Sequence, residues 1–129
     1  TVTNSDLNLI TQGTGMIVFN AHTAVSSRQV THVGSSGVQP LDSFTAATFR
    51  SAEYLVSATN ATETRYEVAK ILVTHDGTNA YINSSSVGSQ TVQMATYTAD
   101  ISNGQVRILI VPQSSDSVTY KMFKTLIRV

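Results

Sequence analysis

The chain has 129 residues, with Lys+Arg 8 against Asp+Glu 8, and only 12% of its residues are charged. A net charge of zero offers no basic face to nucleic acid and no cationic surface to anionic lipid. With no cysteine there is no disulfide framework, and no apolar run reaches the roughly 18 residues of a membrane helix.

The length suits one domain with a real core. Low charge combined with abundant Ser and Thr suits a surface held in contacts, where a buried charge is costly. The opening TVTNSDLNL has neither the basic nor the apolar region of a signal peptide.

Residues 1–6 read as a polar arm and 7–11 as a short strand, turned by Gln12-Gly13-Thr14-Gly15. Residues 16–19 form a compact apolar strand. The stretch 20–29 has weak periodicity and reads as irregular. Residues 29–33 form a further strand, which Gly34-Ser35-Ser36-Gly37 breaks. Residues 43–48 are long enough for one helical turn capped by Ser43.

Two long strands, 49–58 and 65–75, organise the rest. In the first, Ala52, Tyr54, Val56 and Ala58 share a face by two-residue alternation. In the second, Ala69, Ile71 and Val73 line one face while Tyr66, Val68 and Leu72 line the other. A strand apolar on both faces is covered twice, by its own core and by a neighbour. Arg50, Glu53, Arg65, Glu67 and Lys70 place opposite charges along this pair, as cross-strand or intersubunit contacts.

Asp76-Gly77 then supplies a tight turn and 78–82 a return strand. Residues 83–89 (NSSSVGS) read as a flexible loop. Residues 90–101 alternate as a strand, Asn103-Gly104 gives a hairpin to 106–111, and 118–129 closes the chain. The spacing is that of an all-β fold: an antiparallel β-sandwich, jelly-roll-like, with a short N-terminal arm or extra strands. The expected organisation is a 1–39 arm that docks elsewhere and a 40–129 sandwich module.

Several constellations carry chemistry in principle. His75-Asp76 near Ser and Thr suggests a triad, but a nucleophile elbow is missing, and a histidine ending a strand ordinarily caps it. Asp42, Asp76, Asp100 and Asp116 all lie near turns, where they usually bond their own backbone instead of a cation. His22 and His32 lack the spacing of a metal pair. The five tyrosines are a sugar-stacking platform or, more ordinarily, core-edge and interface residues. Asn60-Ala61-Thr62 and Asn83-Ser84-Ser85 match the glycosylation sequon, as chance allows in a Ser/Thr-rich chain.

The run D-S-F…T-F-R-S-A-E-Y (42–54), then Y-E-V-A-K-I-L-V-T-H-D-G-T (66–78), resembles a module of tailed-phage virion proteins, especially marine and cyanobacterial ones. A-T-Y-T-A-D-I-S-N-G-Q-V-R-I-L (95–109), P-Q-S-S-D-S-V-T-Y-K and K-T-L-I continue the resemblance, which covers 40–129. The family commonly carries an acidic-aromatic-Gly stretch where this chain has Asn83-Ser84-Ser85-Ser86.

The resemblance implies a β-sandwich in a virion, assembled in the bacterial host cytoplasm. It implies a capsid-decorating, cementing or tail-associated subunit that binds other virion proteins, often as a homotrimer, with no enzyme activity and no cofactor. The alternative is a receptor- or carbohydrate-binding tip of a tail fibre, with a host glycan as partner. Tyr54, Tyr66, Val68, Leu72, Tyr120 and Phe123 are the residues expected at a subunit interface.

Overall fold

Alternation of apolar and polar residues, punctuated by Gly, Asn and Asp, produces strands joined mostly by tight turns. The structure, a computed structural model, describes residues 9–13 and 15–129. Nine strands follow in chain order among the described residues: β1 Ile17–Phe19, β2 Thr23–Val33, β3 Gln39–Thr45, β4 Phe49–Asn60, β5 Arg65–His75, β6 Ala80–Gly88, β7 Ala95–Ser102, β8 Gln105–Pro112 and β9 Ser117–Arg128. The only helical element among them is a single 3-10 turn, Gly34–Ser36.

The strands form two antiparallel sheets. The larger has the order β1-β2-β9-β4-β5-β6 and the smaller β3-β8-β7. The fold is therefore the expected all-β antiparallel sandwich, with unequal sheets of six and three strands. Its core lies between them. Leu41, Ile108 and Ile110 of the small sheet meet Tyr54, Val56, Ile71 and Leu126 of the large one. Alanines at 24, 52, 58 and 69 on the large sheet are buried between these bulkier side chains.

Several local expectations change. β2 begins at Thr23 and pairs with β9 over eleven residues, so most of 20–29 is strand. Its own pattern is weak because it is half-buried, and pairing with β9 supplies the order. This long ladder makes β2 part of the large sheet. The strand expected over 7–11 lies partly outside the described residues, and 9–11 is not strand; the arm at 1–6 lies wholly outside them.

The helical turn expected over 43–48 is instead the end of β3 and a turn; pairing with β8 from Thr45↔Gln105 onward overrides local propensity. The serine-rich 83–89 stretch is mostly strand β6, drawn into register by β5 through Ala69↔Ser86 and Ile71↔Ser84. β7 starts at Ala95, five residues later than expected.

The turns follow their residue chemistry. Asn103 (φ 50°) and Gly104 (φ 73°) take the two left-handed positions of the β7–β8 hairpin. At β1–β2, Asn20 (φ 47°) and Ala21 (φ 58°) do the same, and the alanine is the strained member because its Cβ opposes this conformation.

Candidate functional site: the open face of the large sheet

The inner face of β5 is buried from Arg65 through Glu67, Ala69, Ile71 and Val73 to His75, and every intervening residue is exposed. The second apolar face expected for this strand is therefore present and uncovered. β4 and β9 add to it through Leu55 (54% exposed) and Phe123 (50% exposed), which are directly paired. Successive rows across the sheet read Ser27–Phe123–Leu55–Lys70–Ser85 and Val25–Thr125–Glu53–Leu72–Asn83. Tyr66, Val68, Tyr81, Val87 and Ile127 extend the apolar surface to the ends and edge of the sheet. Surfaces of this kind mark contact sites.

Charge is sparse on this face. Lys70 Nζ lies 3.8 Å from Glu53 Oε2, and Lys121 is exposed beside them. Next to the Leu55–Phe123 ridge is a hollow of about 550 Å³. Leu72, Tyr81 and Ile127 line it with the hydroxyl residues Ser51, Thr74 and Thr125. Tyr81 is held in place by its O–H, which donates to Asp76 at 2.7 Å.

Of the six residues expected at an interface, Tyr66, Val68, Leu72 and Phe123 lie together on this open face. Tyr54 (0% exposed) and Tyr120 (1% exposed) do not: they point inward and belong to the core. The reason is register, since Tyr54 follows the buried face of Ala52, Val56 and Ala58, and Tyr120 that of Met122 and Leu126. Tyr97 is buried as well, so only two tyrosines are exposed. Tyr66 and Tyr81 are separated by eight positions of the β5–β6 ladder, about 26 Å. They form no joint stacking platform.

An ionic cluster that sequence reasoning missed fastens the two sheets. Asp42 of β3 accepts from Lys124 Nζ at 2.5 Å, Tyr54 O–H at 3.0 Å and Arg28 at 3.0 Å. Asp42 and Lys124 are both buried. Burial first, then the Asp42 carboxylate, pushes the Tyr54 phenol far up from its ordinary value. The signal was present in β9: a lone lysine on the face of Tyr120, Met122 and Leu126 requires a buried counter-charge. A cleft of about 880 Å³ opens beside this cluster, walled by residues 9–11, 13 and 15–17 and by β2, β3 and β9.

The histidine and aspartate constellations are dispersed. His75 Nε2 lies 2.7 Å from the Phe49 carbonyl, and Nδ1 accepts from the Gly77 N–H at 3.0 Å. The Nε2 proton therefore goes to Phe49, both ring nitrogens serve backbone groups, and none faces a hydroxyl nucleophile. Asp76 accepts from the N–H groups of Asn79 and Thr78, which hold its carboxyl well below the usual range. Asp100 pairs with Arg107, and Asp116 accepts from Asn60. Asn60 is buried on the inner face of β4, which removes that sequon from the surface. His32 Nε2 lies 2.8 Å from the Pro40 carbonyl. Among the described residues, no three His, Asp or Glu side chains gather as a metal site.

At the far end of the core, Glu67 Oε2 accepts from the Met94 N–H, while Glu67 Oε1, the Tyr97 hydroxyl and Arg65 Nε are buried without partners. Burial raises the Tyr97 and Tyr120 phenols, the latter to about 12.

No protein-family model matches the chain, and no curated protein matches it. Solved structures do. The Acinetobacter baumannii phage AM24 tailspike protein is similar over 84% of this chain and 27% of its own, with 9% identity and a TM-score of 0.50. What the two share is a fold. The Acinetobacter phage vB_ApiP_P1 tailspike protein matches 98% of this chain and 26% of its own at 18% identity, with a TM-score of 0.45. The tailspike protein of Acinetobacter baumannii bacteriophage Fri1, a capsular polysaccharide depolymerase, matches 89% of this chain and 21% of its own at 8% identity, with a TM-score of 0.42. The chain spans about a quarter of the length of these tailspikes.

Proposed function

We propose that this chain is a non-enzymatic structural domain of a tailed-phage virion, tail-associated, that acts by holding other protein surfaces. The observation that carries this reading is the open apolar face of the large sheet. A six-stranded sheet with Leu55, Val68, Leu72 and Phe123 all exposed is built to be covered. The shared fold with part of the AM24 tailspike supports the tail-associated form over a capsid-cementing one. The engagement of both His75 nitrogens by backbone groups supports the non-enzymatic reading.

A second reading, a glycan-binding tip, is favoured by one feature. The hollow combines the Tyr81 ring with Glu53, Asn83 and three hydroxyl side chains, a mixture that suits a sugar's apolar and hydroxylated faces.

Cryo-electron microscopy of the parent particle tests the preferred reading. Density for this sandwich on the tail is expected, with the β4–β5–β9 face covered by protein. Its absence from the particle, or that face open to solvent beside bound glycan, overturns it.

A further inference from the structure

The small sheet has three strands against six in the large one, so the large sheet overhangs it. β3 is the edge strand beside the overhang: His32 of β2 reaches the Pro40 carbonyl, and Arg28 of β2 reaches Asp42. We propose that this edge takes up an extended segment of another protein as a fourth strand of the small sheet, with a carboxylate side chain set on Arg28. The inference rests on the proposed structural role and names the kind of partner that is held.

Main-chain direction selects a strand. Ser102 and Gln105 close the two-residue Asn103-Gly104 turn, so their N–H and C=O groups face each other. Bonding direction alternates along a strand, so Val106 and Ile108 turn the other way and bond Phe44 and Asp42 of β3. The Ala46 N–H donates to the Gly104 carbonyl at 2.9 Å in the same sense. Ser43 and Thr45 therefore direct their main-chain groups away from β8, into the cleft that they help to wall. The Thr45 carbonyl accepts from the Thr48 N–H at 3.1 Å. The Ser43 N–H and C=O and the Thr45 N–H have no hydrogen-bond partner among the described residues. These groups suit one short antiparallel strand.

Charge selects its side chain. Arg28, Lys124 and Asp42 are the charged residues in the cleft wall, two cations to one carboxylate. Lys124 is buried against Asp42. Arg28 gives Asp42 one bond, from Nη1 at 3.0 Å, and its side chain is 52% exposed. A carboxylate beside it balances the cluster. A sugar acid meets Arg28 too, yet it leaves the strand edge unpaired.

The register then gives a signature. An added strand lies about 4.8 Å from β3, within the cleft of about 880 Å³. When one of its residues opposes Ser43, the residues on either side turn inward. Running antiparallel, the partner first sets a side chain opposite Phe44, at the end of the cleft where Met16 and Ile17 stand. Two residues on, the side chain opposite Asp42 lies over Arg28. The partner therefore reads apolar-x-Asp or apolar-x-Glu.

Selection of displayed random peptides of about twelve residues on the immobilised 129-residue chain is the test. Enriched peptides are expected to share that signature. With the best of them bound, the Ser43 and Thr45 amides should exchange at least about tenfold more slowly. Arg28→Gln, which leaves the Lys124–Asp42 pair in place, weakens binding by about tenfold. Ser43→Pro removes an edge donor and abolishes binding with the β circular dichroism unchanged, since proline is tolerated on an edge. If that variant unfolds, the amide protection decides.

No enrichment, a consensus without an acidic residue, full affinity in Arg28→Gln, or unprotected Ser43 and Thr45 amides would each overturn the proposal. So would slow exchange of those amides in the free chain, because its own residues then cover the edge. Displacement of the peptide by an equal concentration of glucuronic acid would make the site an anion pocket and sink the added strand. Failure here, with density for the domain still seen on the phage tail, removes this inference and leaves the structural role standing. A bound peptide with no density on the particle does the reverse.

Discussion

Asp42 shows how one residue joins distant parts of the chain. Its carboxylate receives three side-chain donors, from β2, β4 and β9, and it sits on β3 of the opposite sheet. Most of the stabilising value lies in not leaving Lys124 buried and unpaired. Asp42→Ala is therefore expected to destabilise the fold by about 3–5 kcal/mol, read from the midpoint of urea unfolding. Replacing both partners, Asp42→Leu with Lys124→Met, recovers part of that loss, since it leaves no buried orphaned charge, although the buried Tyr54 hydroxyl loses its acceptor. The double variant unfolding as early as Asp42→Ala would refute this account. No local pattern marks residue 42 as Lys124's partner, because 82 positions separate them.

Among the elements, the β5–β6 hairpin depends on a single ionised side chain. Asp76 accepts the N–H groups of Asn79 and Thr78 and the Tyr81 hydroxyl, and these bonds depress its folded pKa. For a depressed carboxylate, the contribution is present above the ordinary value near 3.8 and is lost as pH falls below it, through the folded value. Amide hydrogen exchange at residues 77–81 is expected to accelerate below about pH 4 relative to the β4–β9 ladder, after correction for intrinsic rates. Asp76→Ala should exchange fast at neutral pH and show no such acid step. Asp-Gly announced this turn in the sequence. β6 beyond it did not announce itself, because Asn83-Ser84-Ser85-Ser86 carries no strand pattern and is ordered by pairing with β5.

For the whole molecule, three of the five tyrosines, Tyr54, Tyr97 and Tyr120, are enclosed in the core. Burial raises all three phenols, Tyr120 from near 10 to about 12 and the other two higher. A raised pKa leaves stability intact below the unfolded value near 10. It is lost as pH rises above that, through the folded values, because the unfolded chain ionises first. Alkaline titration followed by phenolate absorbance should therefore show these three titrating together, in the same step as loss of β circular dichroism. Their ionisation one by one in a chain that remains folded would contradict the packing.

The sequence by itself determined which residues share a face, where the chain turns at Asp76-Gly77 and Asn103-Gly104, and that the fold is an antiparallel sandwich. These follow from the two-residue period of a strand and from residues that tolerate positive φ, both of which act over a few neighbouring positions. Which face is covered was decided only by tertiary structure. In β4 and β9 both faces carry aromatic or aliphatic side chains, and alternation cannot say whether Tyr54 and Tyr120 or Leu55 and Phe123 turn inward. The small sheet decides by covering the tyrosine side and supplying Asp42 for Lys124. Leu55 and Phe123 are left on the open face, side by side for a partner.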